Sequence, residues 1–214
     1  MEVAPRSPVG WGPKCGWLAA RTTDPERVIA ALSLESVESI DWARGVAAGY
    51  ASRVFVSPPV EGWVLVMSSS FLEGLVDHEE AREGADFVSR LSASLDCEVQ
   101  YFETHRVIEL HTWIRAERGT IVRAYSYIGE RGETQLDIGS QSDEEVALGF
   151  AFFDEHCPEA ESDHYWERDD LTSPTEAEVF ALAAEWSLDP GELDQWEDDS
   201  VPDGWVAEFP AAYR

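Results

Sequence analysis

The amino-acid sequence predicts an α+β fold. It comprises an antiparallel sheet with the β-α-β-β-α-β element order of a ferredoxin-like sandwich, extended by a hairpin, and then an acidic helical C-terminal region. Three observations lead there. Between residues 16 and 103, β-branched and aromatic runs alternate with stretches of helical spacing. Val107–Arg115 and Thr120–Ile128 are two strand-like runs joined by a short link ending in Gly119, as a tight hairpin requires. Beyond Gln141 the strand pattern gives way to helix-capping motifs.

Taken in order, Met1–Pro13 is rich in Pro and Gly and reads as an irregular arm. Gly16–Thr22 is a strand. Asp24-Pro25-Glu26 then opens a helix, with Asp24 as N-cap and Pro25 where its missing N–H costs nothing. Val28, Ile29 and Leu32 form its apolar face. Trp42, Val46 and Tyr50 are spaced for a second helix, weakened by Gly45 and Gly49. Val54–Val56 and Trp63–Met67 are adjacent strands across a Pro-rich connection. Phe87, Val88, Leu91 and Leu95 mark a helix over Glu79–Leu95, and Glu98–Glu103 is the strand after it. Gln135–Ile138 adds a strand beyond the hairpin. Ser142 to Glu145 reads as a capping box before Val146, and Ser173 to Glu176 as a second before Val179 and Trp186. Asp189-Pro190-Gly191-Glu192 opens a further short turn, and the acidic stretch Asp154–Thr172 reads as a long mobile surface segment. The expected organisation is therefore an arm at 1–13, a sheet domain at 14–140 and an acidic, mainly helical region at 141–214 packed on it.

The formal net charge is −28, and residues 151–214 hold 19 carboxylates against two basic side chains, Arg168 and Arg214. That places −17 in this third and −11 in the first 150 residues. Such a field attracts basic partners and repels nucleic acid and anionic membranes. A disordered acidic tail lacks aromatics, whereas Trp166, Trp186, Trp196 and Trp205 fall inside this region, so it is expected to pack. Three widely spaced cysteines, no apolar run of membrane length and no leader-like N-terminus predict a cytoplasmic protein.

No catalytic or cofactor motif is present. His156, Cys157 and His164 are zinc-type ligands, but adjacent His and Cys point apart and no fourth ligand has finger spacing. Glu161-Ser162-Asp163 starts like a calcium loop, yet Trp166 stands where that loop needs glycine. Glu109 and His111 alternate on one face of a predicted strand near His105. That pattern serves either a general acid–base pair or an ordinary solvent-facing sheet surface. Cys97, opening a strand, reads as a structural thiol. No metal, cofactor or catalytic residue is expected.

Several local patterns resemble those of an uncharacterised bacterial protein family. They are Gly16-Trp17-Leu18 with Asp24-Pro25, Phe55-Val56-Ser57-Pro58-Pro59 leading to Gly62-Trp63-Val64-Leu65-Val66, Val122-Arg123-Ala124-Tyr125-Ser126-Tyr127 with Gly129, and Ala184-Glu185-Trp186-Ser187-Leu188-Asp189-Pro190. Small acidic proteins of this type resemble immunity proteins that neutralise antibacterial toxins. The resemblance implies a non-enzymatic inhibitor that occludes a basic toxin or nuclease domain, without direct contact to nucleic acid or membrane. The residues expected to bind that partner are Asp163, Glu167, Asp169, Asp170, Glu197, Asp198 and Asp199, with Trp166 and Trp196 as anchors. Two other readings stay open: a DNA mimic or regulator of nucleic-acid-binding proteins, and an enzyme using the His105/Glu109/His111 face.

Overall fold

The computed structural model describes residues 7–71, 77–196 and 201–210. The first strand, β1 (Cys15–Ala20), is buried along its whole length. A strand alternates its side chains, so burial at every position means cover on both faces. Leu18 and Ala20 enter one core, Trp17 and Ala19 the other. Helix α1 (Pro25–Ala31) follows, with Asp24 accepting the Arg27 N–H at 3.1 Å. Strand β2 (Glu35–Ile40) leads to α2 (Trp42–Tyr50), whose cap Asp41 accepts from the Arg44 N–H. Then come β3 (Val54–Val56), β4 (Val64–Ser68) and the long α3 (His78–Leu95). Asp77 caps α3 by accepting two N–H groups, and Asp96 ends it in the left-handed conformation at φ 49°.

Four strands run on from there: β5 (Glu98–His105), β6 (Leu110–Glu117), β7 (Thr120–Ile128) and β8 (Glu133–Ile138). The β6–β7 turn is only Arg118 and Gly119, both at positive φ, the mirror-image geometry that matches strand twist. The remaining described residues include α4 (Asp143–Ala147), α5 (Asp163–Trp166), α6 (Glu176–Trp186) and a further strand, β9 (Gly204–Glu208).

The nine strands among the described residues make one antiparallel sheet in the order β2-β9-β3-β4-β1-β5-β6-β7-β8. The α+β expectation is met, but this sheet is not the array that element order alone suggested. Two strands had no counterpart in the sequence pattern. β2 is exposed, polar and bulged between Glu35 and Glu38, so it lacks the apolar alternation of a half-buried strand. β9 lies in the acidic tail and slots between β2 and β3.

Helices also cover both faces rather than one. Val28 of α1 and Val88 and Leu91 of α3 pack with Leu18, Val66 and Ile114. Trp42 of α2 and Leu182 and Trp186 of α6 pack on the opposite face with Trp17, Phe55 and Trp113. Gly45 permits the close seating of α2, because a Cβ there would lie 2.3 Å from the Phe55 ring. The second capping box is shifted from its expected register: Thr175 caps the amide of Ala177, and Glu178 accepts from the Thr175 N–H. Pro174 is buried just ahead of it, and Thr175 is extended, so the helix begins two residues later than Ser173 implies. No helix among the described residues is long and apolar enough to cross a membrane.

Candidate functional site

After β8 the chain enters α4 through a complete capping box. Ser142 Oγ accepts the Glu145 N–H at 3.1 Å, and Glu145 Oε2 accepts the Ser142 N–H at 2.7 Å. Glu145 does more than cap. It is buried, and it also accepts from Trp113 Nε1 at 2.9 Å and from Arg123 Nε at 2.9 Å. Arg123, likewise buried, donates on to Asp137 and to the carbonyls of Ala124 and Ile138. A charge this deep is tolerated because it is paired and its donors are satisfied.

Arg123 and Asp137 of this network line a cleft of about 430 Å³ between β7, β8 and the segment after α4. Its lining includes Tyr125, Gln135, Asp137, Phe152 and Asp154. Burial pushes the Tyr125 phenol upward, as do Asp137 and Asp154, while Thr134 pulls it down. Thr134 stands beside that hydroxyl, yet the hydroxyl meets no partner in hydrogen-bonding geometry. Gln135 is in the same position: Nε2 donates to Glu133 at 2.7 Å while Oε1 has no partner among the described residues.

The acidic stretch 154–172 is built on aromatic contacts. Phe152 pairs with Thr172, and the Phe153 N–H donates to the Thr172 carbonyl at 2.8 Å, closing the segment into a loop. Inside it lie a 3-10 turn at Pro158–Glu161 and the single turn of α5. Tyr165 accepts from the Asp154 N–H at 2.7 Å, clamping the two ends of the loop together. Trp166 stacks on Phe153 at 5.6 Å and 15°, meets Tyr165 edge-on and donates Nε1 to the Ala160 carbonyl at 2.9 Å. It is still 45% exposed.

Of the residues expected to bind a partner, five gather here. Asp163, Glu167 and Asp169 are exposed around Trp166 in sequence, and Asp170 is exposed but paired with Arg168, which holds its carboxyl below the usual range. Trp196 is different: it is partly buried and packs against the Trp17 core, which limits it as a free anchor. Glu197, Asp198 and Asp199 lie outside the described residues.

The His/Glu face is rearranged relative to its expected form. The strand starts only at Leu110, so Glu109 sits in a turn at φ 50° while His111 is fully buried. His111 lies between Thr104, 3.2 Å away, and Glu109, 3.1 Å away, and burial pushes its pKa down. It is not part of a solvent-facing sheet surface; α6 packs over this part of β6. Cys15 is buried, and Cys97 and Cys157 are partly buried. His156, Cys157 and His164 are not drawn together: no group of three or more metal-type side chains assembles among the described residues.

The sequence reading missed the cleft. Its one visible signal was Arg123, the single cation in the strand Val122-Arg123-Ala124-Tyr125-Ser126-Tyr127, on the same side as Tyr125. Its partner Glu145 was legible only as a helix cap. Together the sheet and the acidic loop define an α+β protein with an aromatic-anchored anionic surface beside a polar cleft. No family model matches the chain, and no curated protein or solved structure matches it either.

Proposed function

We propose that this chain is an acidic binding protein acting in the cytoplasm, most concretely an immunity-type inhibitor that occludes a basic toxin or nuclease domain. The observation that carries the reading is Trp166, a large aromatic held rigidly by stacking and a hydrogen bond yet nearly half exposed among carboxylates. A pre-organised aromatic in a charged rim is the makeup of an interface hot spot. The −17 carried by residues 151–214 supplies long-range attraction for a cation-rich surface. We read the central strands β3-β4-β1-β5, with α1 and α3 on one face, as a ferredoxin-like unit that serves as the scaffold.

The two contributions separate kinetically. Carboxylates at 163, 167 and 169 speed encounter and are screened by salt, while burial of Trp166 slows release. The test is affinity capture of basic proteins from the native lysate at low and moderate salt, followed by kinetics on the captured partner. Reversing Asp163, Glu167 and Asp169 to Lys lowers the association rate, chiefly at low salt. Trp166→Ala raises dissociation, costing about 2 kcal/mol or more. A partner whose kinetics ignore both variants would sink the proposal.

A further inference from the structure

His111 occupies a sealed position that suits a neutral imidazole and not an imidazolium. It lies fully buried in β6, between Thr104 of β5 and Tyr127 of β7 in the sheet register. The face it shares with Tyr127 is the one that α6 covers with Val179, Leu182 and Ala183. Both ring nitrogens are in use. Nε2 is 3.1 Å from Glu109 Oε2, and a carboxylate only accepts, so Nε2 carries the proton. Nδ1 is then the acceptor for the Thr104 hydroxyl at 3.2 Å. A second proton has to go on Nδ1. It turns that bond round, and the Thr104 O–H must find another acceptor at a position with no exposed surface. The partner of this ring is strained as well. Glu109 holds φ 50°, a left-handed geometry that is costly for a non-glycine residue, while its carboxylate rests on His111.

The groups that face the ring from other elements are Glu178 and Glu176 at the start of α6, Tyr127 on β7, and Cys15 of β1 beyond Thr104. Burial pushes the Cys15 thiol up to about 12 and raises the Tyr127 phenol, so neither changes charge in mild acid. Burial is also the largest influence on His111 and holds it below the ordinary 6.5, with Glu109, Glu178 and Glu176 offsetting only part of that.

We infer that His111 is an acid-sensitive latch on α6: a second proton on its ring lifts the start of that helix off the sheet, so that the imidazolium meets water. The open form takes the proton at the ordinary histidine value, whereas the closed form resists it. Closure is therefore fully stable above about pH 6.5 and weakens as pH falls through that value toward the lower one of the closed state. Thr172, whose carbonyl closes the acidic loop, lies just ahead of the Thr175 cap, so lifting α6 also loosens one end of that loop. The latch needs no partner to operate and stands apart from the proposed binding function.

The experiment uses the full chain and two NMR readouts between about pH 7 and about pH 5, above the ordinary carboxylate values of about 4. One is the titration of the His111 ring; the other is amide hydrogen exchange corrected for intrinsic rates. His111 is expected to titrate below 6.5. The amides of Phe180 to Ala183 in α6 are expected to lose protection about fivefold or more across this range, and those of Val88 to Leu91 in α3 are not. Glu103 cannot mimic the loss, because its own proton uptake stabilises the folded state as pH falls. His111→Gln keeps a donor and an acceptor but cannot charge, so it abolishes the loss. Glu109→Gln deepens it, since the carboxylate that favours the charged ring is gone. A ring that titrates at 6.5 or above in the folded chain would overturn the inference. So would α6 protection that stays flat while the ring takes up its proton, or a loss that persists in His111→Gln. Should that variant fail to fold, the titration and exchange of the unaltered chain still decide.

Discussion

Glu145 is a surface-type residue held fully buried by three donors, Trp113 Nε1, Arg123 Nε and the Ser142 N–H. Replacing it with Ala leaves the buried Arg123 to Asp137 and orphans the Trp113 indole and the Ser142 amide. Urea unfolding of Glu145→Ala is expected to show a loss of about 3–5 kcal/mol, the cost of breaking one half of a buried pair. Glu145→Gln keeps an acceptor for one donor and falls in between. Glu103 gives a prediction in pH. Burial raises its carboxyl from 4.5 to about 7, and the Tyr101 hydroxyl donating at 2.9 Å only partly offsets that. The folded state therefore holds this proton more tightly than the unfolded chain. Its contribution is fully present below pH 4.5 and is lost as pH rises through about 7. Glu103→Gln removes that dependence, so the variant gains on the wild type across this window and the difference is flat above it. Parallel stability curves would refute the assignment. Neither the buried Glu145 nor the half-buried Glu103 was legible as such in the sequence. Carboxylates are read as surface by default, and only tertiary pairing reverses that for Glu145.

Some helix boundaries followed local rules and were readable. Asp24 caps α1 through its side chain, and the spacing of Phe87, Val88, Leu91 and Leu95 marks α3, whereas the Asp41 cap of α2 and the single turn of α5 were not picked out. Where two overlapping signals competed, as at Ser173 and Thr175, the backbone took the later one. Thr175→Ala is expected to cost about 1 kcal/mol, and Ser173→Ala should not show that loss if Thr175 is the true cap. β2 and β9 were not readable because each owes its strand conformation to the other: β2 has polar exposed residues, and β9 pairs with a segment far away in sequence. Gly45 shows packing overruling propensity. Gly45→Ala gains about 1 kcal/mol of helix propensity. It also drives a methyl into the Phe55 ring 2.3 Å away, at a cost of about 1–3 kcal/mol. Net destabilisation in thermal or urea unfolding is the expected sign, and stabilisation would show that α2 can slide outward freely.

A chain with −28 formal charge repels itself whenever it is compact. The few cations are placed against that repulsion: Arg115 reaches Glu98 at 2.7 Å, Arg123 joins Glu145 and Asp137, and Arg168 pairs with Asp170. Raising monovalent salt from about 20 mM to about 200 mM shortens the screening length roughly threefold and is expected to raise the melting temperature. The same salt should weaken capture of a basic partner, so stability and binding move in opposite directions. A melting temperature that falls with salt would mean that these pairs outweigh the repulsion. The uneven charge that suggested a binding role was plain in the sequence; the cleft was not, because Arg123, Phe152 and Asp154 meet only once the sheet and loop close. One consequence concerns synthesis. β9 lies between β2 and β3, so while a ribosome is still making residues before 204, β2 has no strand to pair with and β3 has one bare edge. The strands β1 and β4 to β8 can assemble as they emerge, but that flank of the sheet stays unfinished until residues 204–208 have been made, leaving a nascent chain with an open edge that one later strand must seal.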